Sequence, residues 1–220
     1  MQLFIIGDIH GCYHTFQKML NHWNPAEERL IQVGDLIDRG NHSVEVLQLA
    51  KNLSSEHLEK SIFLKGNHEH MMVEHIENGY IGGSWLFNGG KGTLTQFKER
   101  NVNPEQILPW IKALPLKWEN SHVMVSHAGI SKSLHPLDPN SRDGILWNRK
   151  PLKKLPKIQV IGHTPQQNGK ANFTTSSQSW NIDTGAYRGI CLTGLKLREN
   201  GDFLEEINIP TDERDLEQQL

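Results

Sequence analysis

The stretch Ser61-Ile62-Phe63-Leu64-Lys65-Gly66-Asn67-His68-Glu69-His70 decides how this 220-residue chain is read. An apolar run stops at Gly66 and then delivers Asn67 and His68 side by side, which predicts a buried strand ending in a site. Neighbouring side chains on extended backbone point to opposite faces. Asn67 would therefore turn its amide oxygen towards a metal, and His68 would face whatever the metal holds.

The same pattern occurs at Leu3-Phe4-Ile5-Ile6-Gly7-Asp8-Ile9-His10-Gly11 and at Leu30-Ile31-Gln32-Val33-Gly34-Asp35-Leu36-Ile37-Asp38-Arg39-Gly40. It returns at His122-Val123-Met124-Val125-Ser126-His127-Ala128-Gly129 and at Ile158-Gln159-Val160-Ile161-Gly162-His163-Thr164. Each apolar run breaks at or near a small residue and then presents Asp, His or Asn. The repetition predicts one convergent site.

Between these runs lie helical patterns. Phe16, Met19, Leu20 and Trp23 space a helix over Cys12 to Trp23, and Val44, Val46, Leu47, Leu49 and Leu53 space a second over Ser43 to Leu53. With strands at Leu3, at Arg29 to Val33 and at 61–65, this is a β-α-β-α-β unit, which makes a parallel sheet with right-handed crossovers. Ligands of such sheets bind beyond the carboxyl ends of the strands, where all the candidate residues fall. From Glu69 to about Trp118 the pattern is helical, interrupted at Gly82-Gly83 and Gly89-Gly90. Gly90-Lys91-Gly92-Thr93 is not a nucleotide-binding P-loop, because Trp85 stands where that motif needs glycine. Ile130 to Pro156 reads as a long loop. Strands follow at Ile158–Ile161, Trp180–Ile182, Ile190–Leu197 and Phe203–Ile209; the last three read as antiparallel hairpins, turning at Glu199 to Asp202, in a second, mixed sheet packed on the first.

Composition bounds the function. An apolar content of 36% without a linker predicts one domain over residues 1–210, followed by a polar, acid-rich tail, 211–220, that would fray. A net charge of -2 provides no overall basic field for nucleic acid. Cys12 and Cys191 make no disulfide framework, and Cys12 reads as a small core or surface residue. No apolar run approaches a membrane span and no leader pattern precedes the first strand, so the expected protein is cytoplasmic, without a membrane partner. Nothing in the chain sets an oligomeric state, and a monomer fits. Of the twelve histidines, His10, His68, His127 and His163 fall at strand ends; His14, His22, His42, His57 and His135 read as ordinary surface residues. Trp85, Phe87 and Trp110 read as core or cap packing, with Trp85 and Phe87 near enough to glycines to border a groove.

The residue types define a chemistry. Asp8 and His10, two apart, would point the same way on extended backbone and hold one cation. Asp35 could bridge two ions, with Asn67, His127 and His163 completing a second set. Mixed oxygen and imidazole donors suit Mn, Fe, Co, Ni or Zn better than Ca. Two such ions about 3.5 to 4 Å apart can hold a bridging water whose pKa falls towards roughly 7, which removes the need for a protein nucleophile. Arg39 and Arg149 would grip phosphate oxygens. His68, paired with Asp38, would protonate the leaving alkoxide.

Gly7-Asp8-Ile9-His10-Gly11, Gly34-Asp35-Leu36-Ile37-Asp38-Arg39-Gly40, Gly66-Asn67-His68-Glu69, His127-Ala128-Gly129 and Gly162-His163-Thr164 resemble, in order and spacing, the motifs of the phosphoprotein phosphatase (PPP) family. Within it, the likeness is to the small bacterial and phage enzymes similar to lambda phosphatase. The resemblance implies an α/β, calcineurin-like metallophosphoesterase fold of two packed mixed β-sheets flanked by helices. It also implies one-step hydrolysis of phosphomonoesters at a dinuclear centre, commonly with manganese. Asp8, His10 and Asp35 would hold one metal and Asp35, Asn67, His127 and His163 the other; His68 and Asp38 would form the acid dyad, and Arg39 and Arg149 the phosphate clamps. The expected substrates are phosphorylated proteins or peptides. The related symmetrical diadenosine tetraphosphatases usually lack the aspartate at position 38 and end the third motif in Asp where Glu69 stands. Dinucleoside polyphosphate hydrolysis is the alternative activity, with Trp85 and Lys91 as candidates to line a groove for a second nucleotide. A non-catalytic scaffold on the same fold is a third reading, disfavoured because no ligand or catalytic histidine is missing.

Overall fold

The computed structural model describes residues 1–79 and 84–216. The expected interruption at Gly82-Gly83 lies outside the described residues. Strands β1 (Gln2–Ile6), β2 (Glu28–Gln32) and β3 (Ser61–Phe63) run parallel. They are linked by α1 (Tyr13–Leu20) and α2 (Ser43–Glu56) as the sequence predicts.

Period-two burial places β1 at the centre of the molecule. Leu3 and Ile5 face one way, into a cluster with Ile31, Val33, Leu64, Val123, Val125 and Val160. Phe4 and Ile6 face the other way, into a cluster with Phe16, Met19, Val44 and Leu47 of the helices. The first cluster is the seam between two sheets; the second is where helices cover the first sheet. Fully burying one such aliphatic or aromatic side chain contributes about 1.5–3 kcal/mol, so β1 is held from both faces.

The second sheet comprises β4 (Lys117–Glu119), β5 (Val123–Ser126), β6 (Ile158–Ile161), β7 (Asn172–Thr174) and β8 (Ser179–Asn181), in the order β4-β5-β6-β8-β7. Its outer side is closed by Met124, Ile130, Ile145 and Leu146, the last three from the long segment between β5 and β6. The hairpin of β9 (Cys191–Arg198) and β10 (Phe203–Pro210) forms as expected, but it does not belong to this sheet. Strand β9 pairs antiparallel with β1, making the first sheet β10-β9-β1-β2-β3. Seven of the eight residues of β9 are buried or half-buried, an almost continuous run that suits a strand inside either sheet, so local pattern does not choose; register against β1 does. The helical stretch resolves into α3 (Asn67–Asn78), α4 (Lys91–Glu99) and α5 (Leu108–Ala113). No helix among the described residues is long and apolar enough to cross a membrane.

The tail read as frayed from residue 211 is docked through Leu216; residues 217–220 lie outside the described residues. Asp215 is fully buried, and its Oδ2 accepts from the Thr15 hydroxyl at 2.6 Å and the Thr15 N–H at 2.8 Å, while Oδ1 accepts the His14 N–H at 2.9 Å. These are open donors of the first turn of α1, satisfied by a residue 200 positions away. Cys12 is buried in the helix-side core, and burial, with Asp215 nearby, pushes its thiol well above the ordinary range, which makes it a packing residue. Replacing Asp215 by Ala strands three donors and should lower stability by about 1–3 kcal/mol in urea unfolding, with the urea m-value unchanged.

Candidate active site

The site forms where strands β1, β2, β5 and β6 end and α3 begins, but not through extended backbone. His10, Asp35, Asp38, Arg39 and His163 all have positive φ, between 47° and 74°. Such values are uncommon for residues with a β-carbon and cluster at functional sites. The turns are held by backbone bonds between motifs: the N–H groups of Ile9 and His10 donate to Asp35 O, and that of Gly40 to His10 O. Asn67 and His68 are likewise not a strand end. They open α3, with Gly66 as the residue before its first turn. The inference that alternating faces separate Asn67 from His68, or align Asp8 with His10, is therefore corrected; helix geometry and left-handed turns aim these side chains.

Asp35 occupies the middle. Its Oδ2 lies 3.4 Å from His10 Nε2 and its Oδ1 3.4 Å from His127 Nε2. Two clusters share it, His10-Asp35-His68 and Asp35-His127-His163, each with ligand atoms within 4.8 Å of one another. His10 Nδ1 donates to Ile37 O and His127 Nδ1 to Val33 O, which leaves both Nε2 lone pairs facing inwards. His127 Nε2 meets the Asn67 amide oxygen at 2.8 Å and His163 Nδ1 at 3.1 Å. These groups converge on one point, as the ligands of a single cation would. Asp8 belongs to neither cluster; its Oδ2 accepts the His163 N–H, and its Oδ1 is buried without a hydrogen-bond partner among the described residues, as is His163 Nε2. The Arg39 guanidinium already reaches His10 Nε2, at 2.8 Å. This donor set fits divalent ions of the Mn, Fe, Co, Ni and Zn type.

Packing leaves no slack. A β-carbon at Gly66 would fall 2.1 Å from Asp35 Oδ1, and one at Gly162 1.8 Å from Asp8 Oδ1. Glu69, fully buried, accepts the N–H groups of Asp35, Leu36 and Gly66 at 2.8–2.9 Å, tying the second motif to the start of α3. Burial and the Asp35 carboxylate push Glu69 up to about 7, against those N–H groups, which favour its anion.

Burial also disfavours ionisation of Asp35, but His127, His68, His10 and His163 outweigh it and hold that carboxyl far below its usual range. Burial lowers His10, His127 and His163, the direction that favours the neutral imidazole a metal ion would require. Burial works against charge on His68 as well, yet Asp35 and the bond to Asp38 overcome it and raise this histidine alone among the four.

The Asp38–His68 pair belongs to a larger network. His68 Nδ1 donates to Asp38 Oδ2 at 2.6 Å, and the same oxygen accepts Trp85 Nε1 at 2.8 Å; Asp38 Oδ1 accepts the Thr93 hydroxyl at 2.5 Å. Asp38 is fully buried and Trp85 is 2% exposed. Trp85 is therefore core packing and also a positioning residue, and it is too enclosed to stack against a nucleotide. Thr93 lies in the very segment dismissed as a P-loop. A lone Trp and a lone Thr, 47 and 55 residues from their partner, carry no local signal.

Tyr187 also escaped the sequence reading. Its ring packs edge-on against His10, with centroids 4.8 Å apart, and carries the Arg39 guanidinium 4.4 Å above it. Arg149 stands exposed beside the fifth motif, with Nη1 donating to Thr164 Oγ1 at 3.2 Å. Clefts flank it on both sides, one of about 660 Å³ lined by Arg142, Asp143, Trp147, Arg149 and Lys150. Lys91 is engaged with the exposed Phe87 ring, 5.0 Å from its centroid.

A fold of this topology, with carboxylates, imidazoles and an amide gathered at its strand ends, defines a metal-dependent phosphoesterase. Residues 1–201 match the calcineurin-like phosphoesterase family model, and the chain belongs to that family. It is 30% identical over 211 residues to serine/threonine-protein phosphatase 1 of Salmonella typhimurium, covering 89% of this chain and 92% of that protein. It is 27% identical over 245 residues to the asymmetrical bis(5'-nucleosyl)-tetraphosphatase PrpE of Bacillus cereus, covering 96% and 95%. The fold also matches a serine/threonine phosphatase from Saccharomyces cerevisiae with a TM-score of 0.68 at 17% identity, over 97% of this chain and 81% of that one.

Trp85→Phe keeps the ring and removes one donor to a buried charge. It should lower kcat about tenfold on alkyl phosphates with little change in KM, and adding Thr93→Val should deepen the loss. Steady-state kinetics with circular dichroism as a folding control checks both.

Proposed function

We propose that this chain is a serine/threonine protein phosphatase that hydrolyses phosphomonoesters in one step, without a phosphoenzyme. The observation that carries the reading is the buried Asp38–His68 pair, reinforced by Trp85 and Thr93. A serine or threonine alkoxide is a poor leaving group and needs a proton as the P–O bond breaks; the phosphate leaving group of an anhydride needs far less help. A chain that spends a buried carboxylate, an indole and a hydroxyl on one histidine is built for the harder case.

Divalent ions held by Asp8, His10, Asp35, Asn67, His127 and His163 would supply the Lewis acidity that activates water and neutralises the phosphoryl group. In this reading Arg39 and Arg149 grip its outer oxygens and align the phosphorus for in-line attack. Tyr187 holds Arg39 against the cleft floor. His68, donating to Asp38 through Nδ1, keeps Nε2 for the leaving oxygen. Manganese is the ion we would load first, and phosphorylated proteins or peptides are the partners.

Dinucleoside polyphosphate hydrolysis is the second reading. It is favoured by the likeness to the Bacillus cereus tetraphosphatase and by the basic cleft beside Arg142, Arg149 and Lys150, which could hold distal phosphates. Manganese-loaded protein should show a kcat/KM at least tenfold higher on a phosphothreonine peptide than on diadenosine tetraphosphate; the reverse order moves the assignment to nucleotides and leaves the ligand set intact. His68→Asn should depress kcat most on alkyl phosphates and least on aryl phosphates. An equal loss on both would remove His68 from the acid role.

A further inference from the structure

His14 and His42 read as ordinary surface residues in the sequence, but the fold brings them together with Asp215. Their ring centroids are 4.9 Å apart, edge to face, and one ligand atom from each of His14, His42 and Asp215 lies within 4.8 Å of the others. Both imidazoles are half-buried, open enough for an ion to enter, whereas Asp215 is fully buried. The Asp215 carboxylate is already oriented by Thr15 and the His14 N–H, and Oδ1, which accepts one bond, keeps a lone pair free. His42 has a ring nitrogen on Arg214 O at 3.0 Å; with Nε2 donating there, Nδ1 carries a lone pair. That nitrogen faces Glu45 Oε2 at 3.9 Å, and Glu45 Oε2 is a buried oxygen without a hydrogen-bond partner among the described residues. Arg100 pairs with Glu45 through Oε1, so Oε2 is the open oxygen that lies beside the two imidazoles and the buried carboxylate.

We propose that His14, His42 and Asp215 form a further divalent-cation site, separate from the Asp35 centre, that takes zinc and fastens the C-terminal segment to the loops of the first two motifs. Two imidazoles and one carboxylate are a tetrahedral zinc set with one open position, filled by water or by Glu45. Magnesium and calcium prefer all-oxygen sets and would be rejected. The ligands come from three places: the start of α1, the residue before α2, and the chain end. The segment they join is already laced across these loops. Asn41 N–H donates to Asp215 O, Asn41 Nδ2 to Leu216 O at 2.6 Å, and Asp212 N–H to Thr15 Oγ1. His42 N–H donates to Gly11 O, and Gly40 N–H to His10 O. Zinc here would hold closed the strap behind His10, Asp38 and Arg39 without touching substrate. The inference stands whichever substrate the enzyme takes.

The test is a zinc count on the full-length chain, stripped of metal and then dialysed against buffered micromolar zinc, with His14→Gln/His42→Gln alongside. The wild type should hold one equivalent more than the variant by plasma emission spectrometry. Added zinc should slow amide exchange at residues 211–216 at least tenfold in the wild type and leave the variant unchanged. Equal counts in the two proteins, or equal protection of the strap, overturns the assignment. His14 is half-exposed and its ring makes no hydrogen bond among those described, so His14→Gln alone repeats the comparison if the double variant does not refold.

Discussion

Asp35 is the charge around which the molecule is arranged. Its two oxygens face histidines of different motifs, His10 on one side and His127 on the other, in a space almost closed to water. Isolated, such a carboxylate would be costly to bury; surrounded by four imidazoles and the N–H of His68 at the start of α3, it remains an anion. That requirement reaches outwards. The second motif must turn left-handed to present the oxygens, Gly66 must lack a β-carbon to let α3 approach, and Glu69 must accept the N–H groups that the turn exposes.

The two sheets supply the rigid frame for this arrangement. Parallel β1, β2 and β3 end together at one edge, and β5 and β6 of the second sheet end beside them, so side chains from five distant parts of the chain converge without a long loop reaching inwards. The seam between the sheets is aliphatic and tightly buried, which sets the depth at which His127 and His163 meet Asn67. Around this centre lies a ring of supports that touch no reacting atom: Trp85 and Thr93 behind Asp38, Tyr187 beneath Arg39, and the 211–216 segment behind the first two motifs.

The division of labour bears on substrate. Family and fold establish a phosphoesterase, and relatives acting on phosphoproteins and on dinucleoside polyphosphates share that frame. What separates these chemistries is the leaving group, so the residues that manage the proton carry more information than the ligands. In the proposed reaction the network on Asp38 would belong to the proton side. The basic rim at Arg142, Arg149 and Lys150 would lie on the phosphate side and would serve either substrate.

The sequence by itself determined the βαβαβ core, the positions of Asp8, His10, Asp35, His127 and His163 just beyond strand ends, the segment that carries Asn67 and His68, and the family. It could do so because burial and alternation are local properties and because metal-ligand types are rare after apolar runs. Tertiary structure decided the rest. Whether β9 joins the first or the second sheet depends on register against β1, which no short window encodes. The aim of Asp35 and His10 depends on left-handed turns stabilised by bonds between motifs. Trp85, Thr93, Tyr187 and Asp215 gain their roles only when partners tens to 200 residues away arrive, because a hydrogen bond or a ring contact has meaning only as a distance in space.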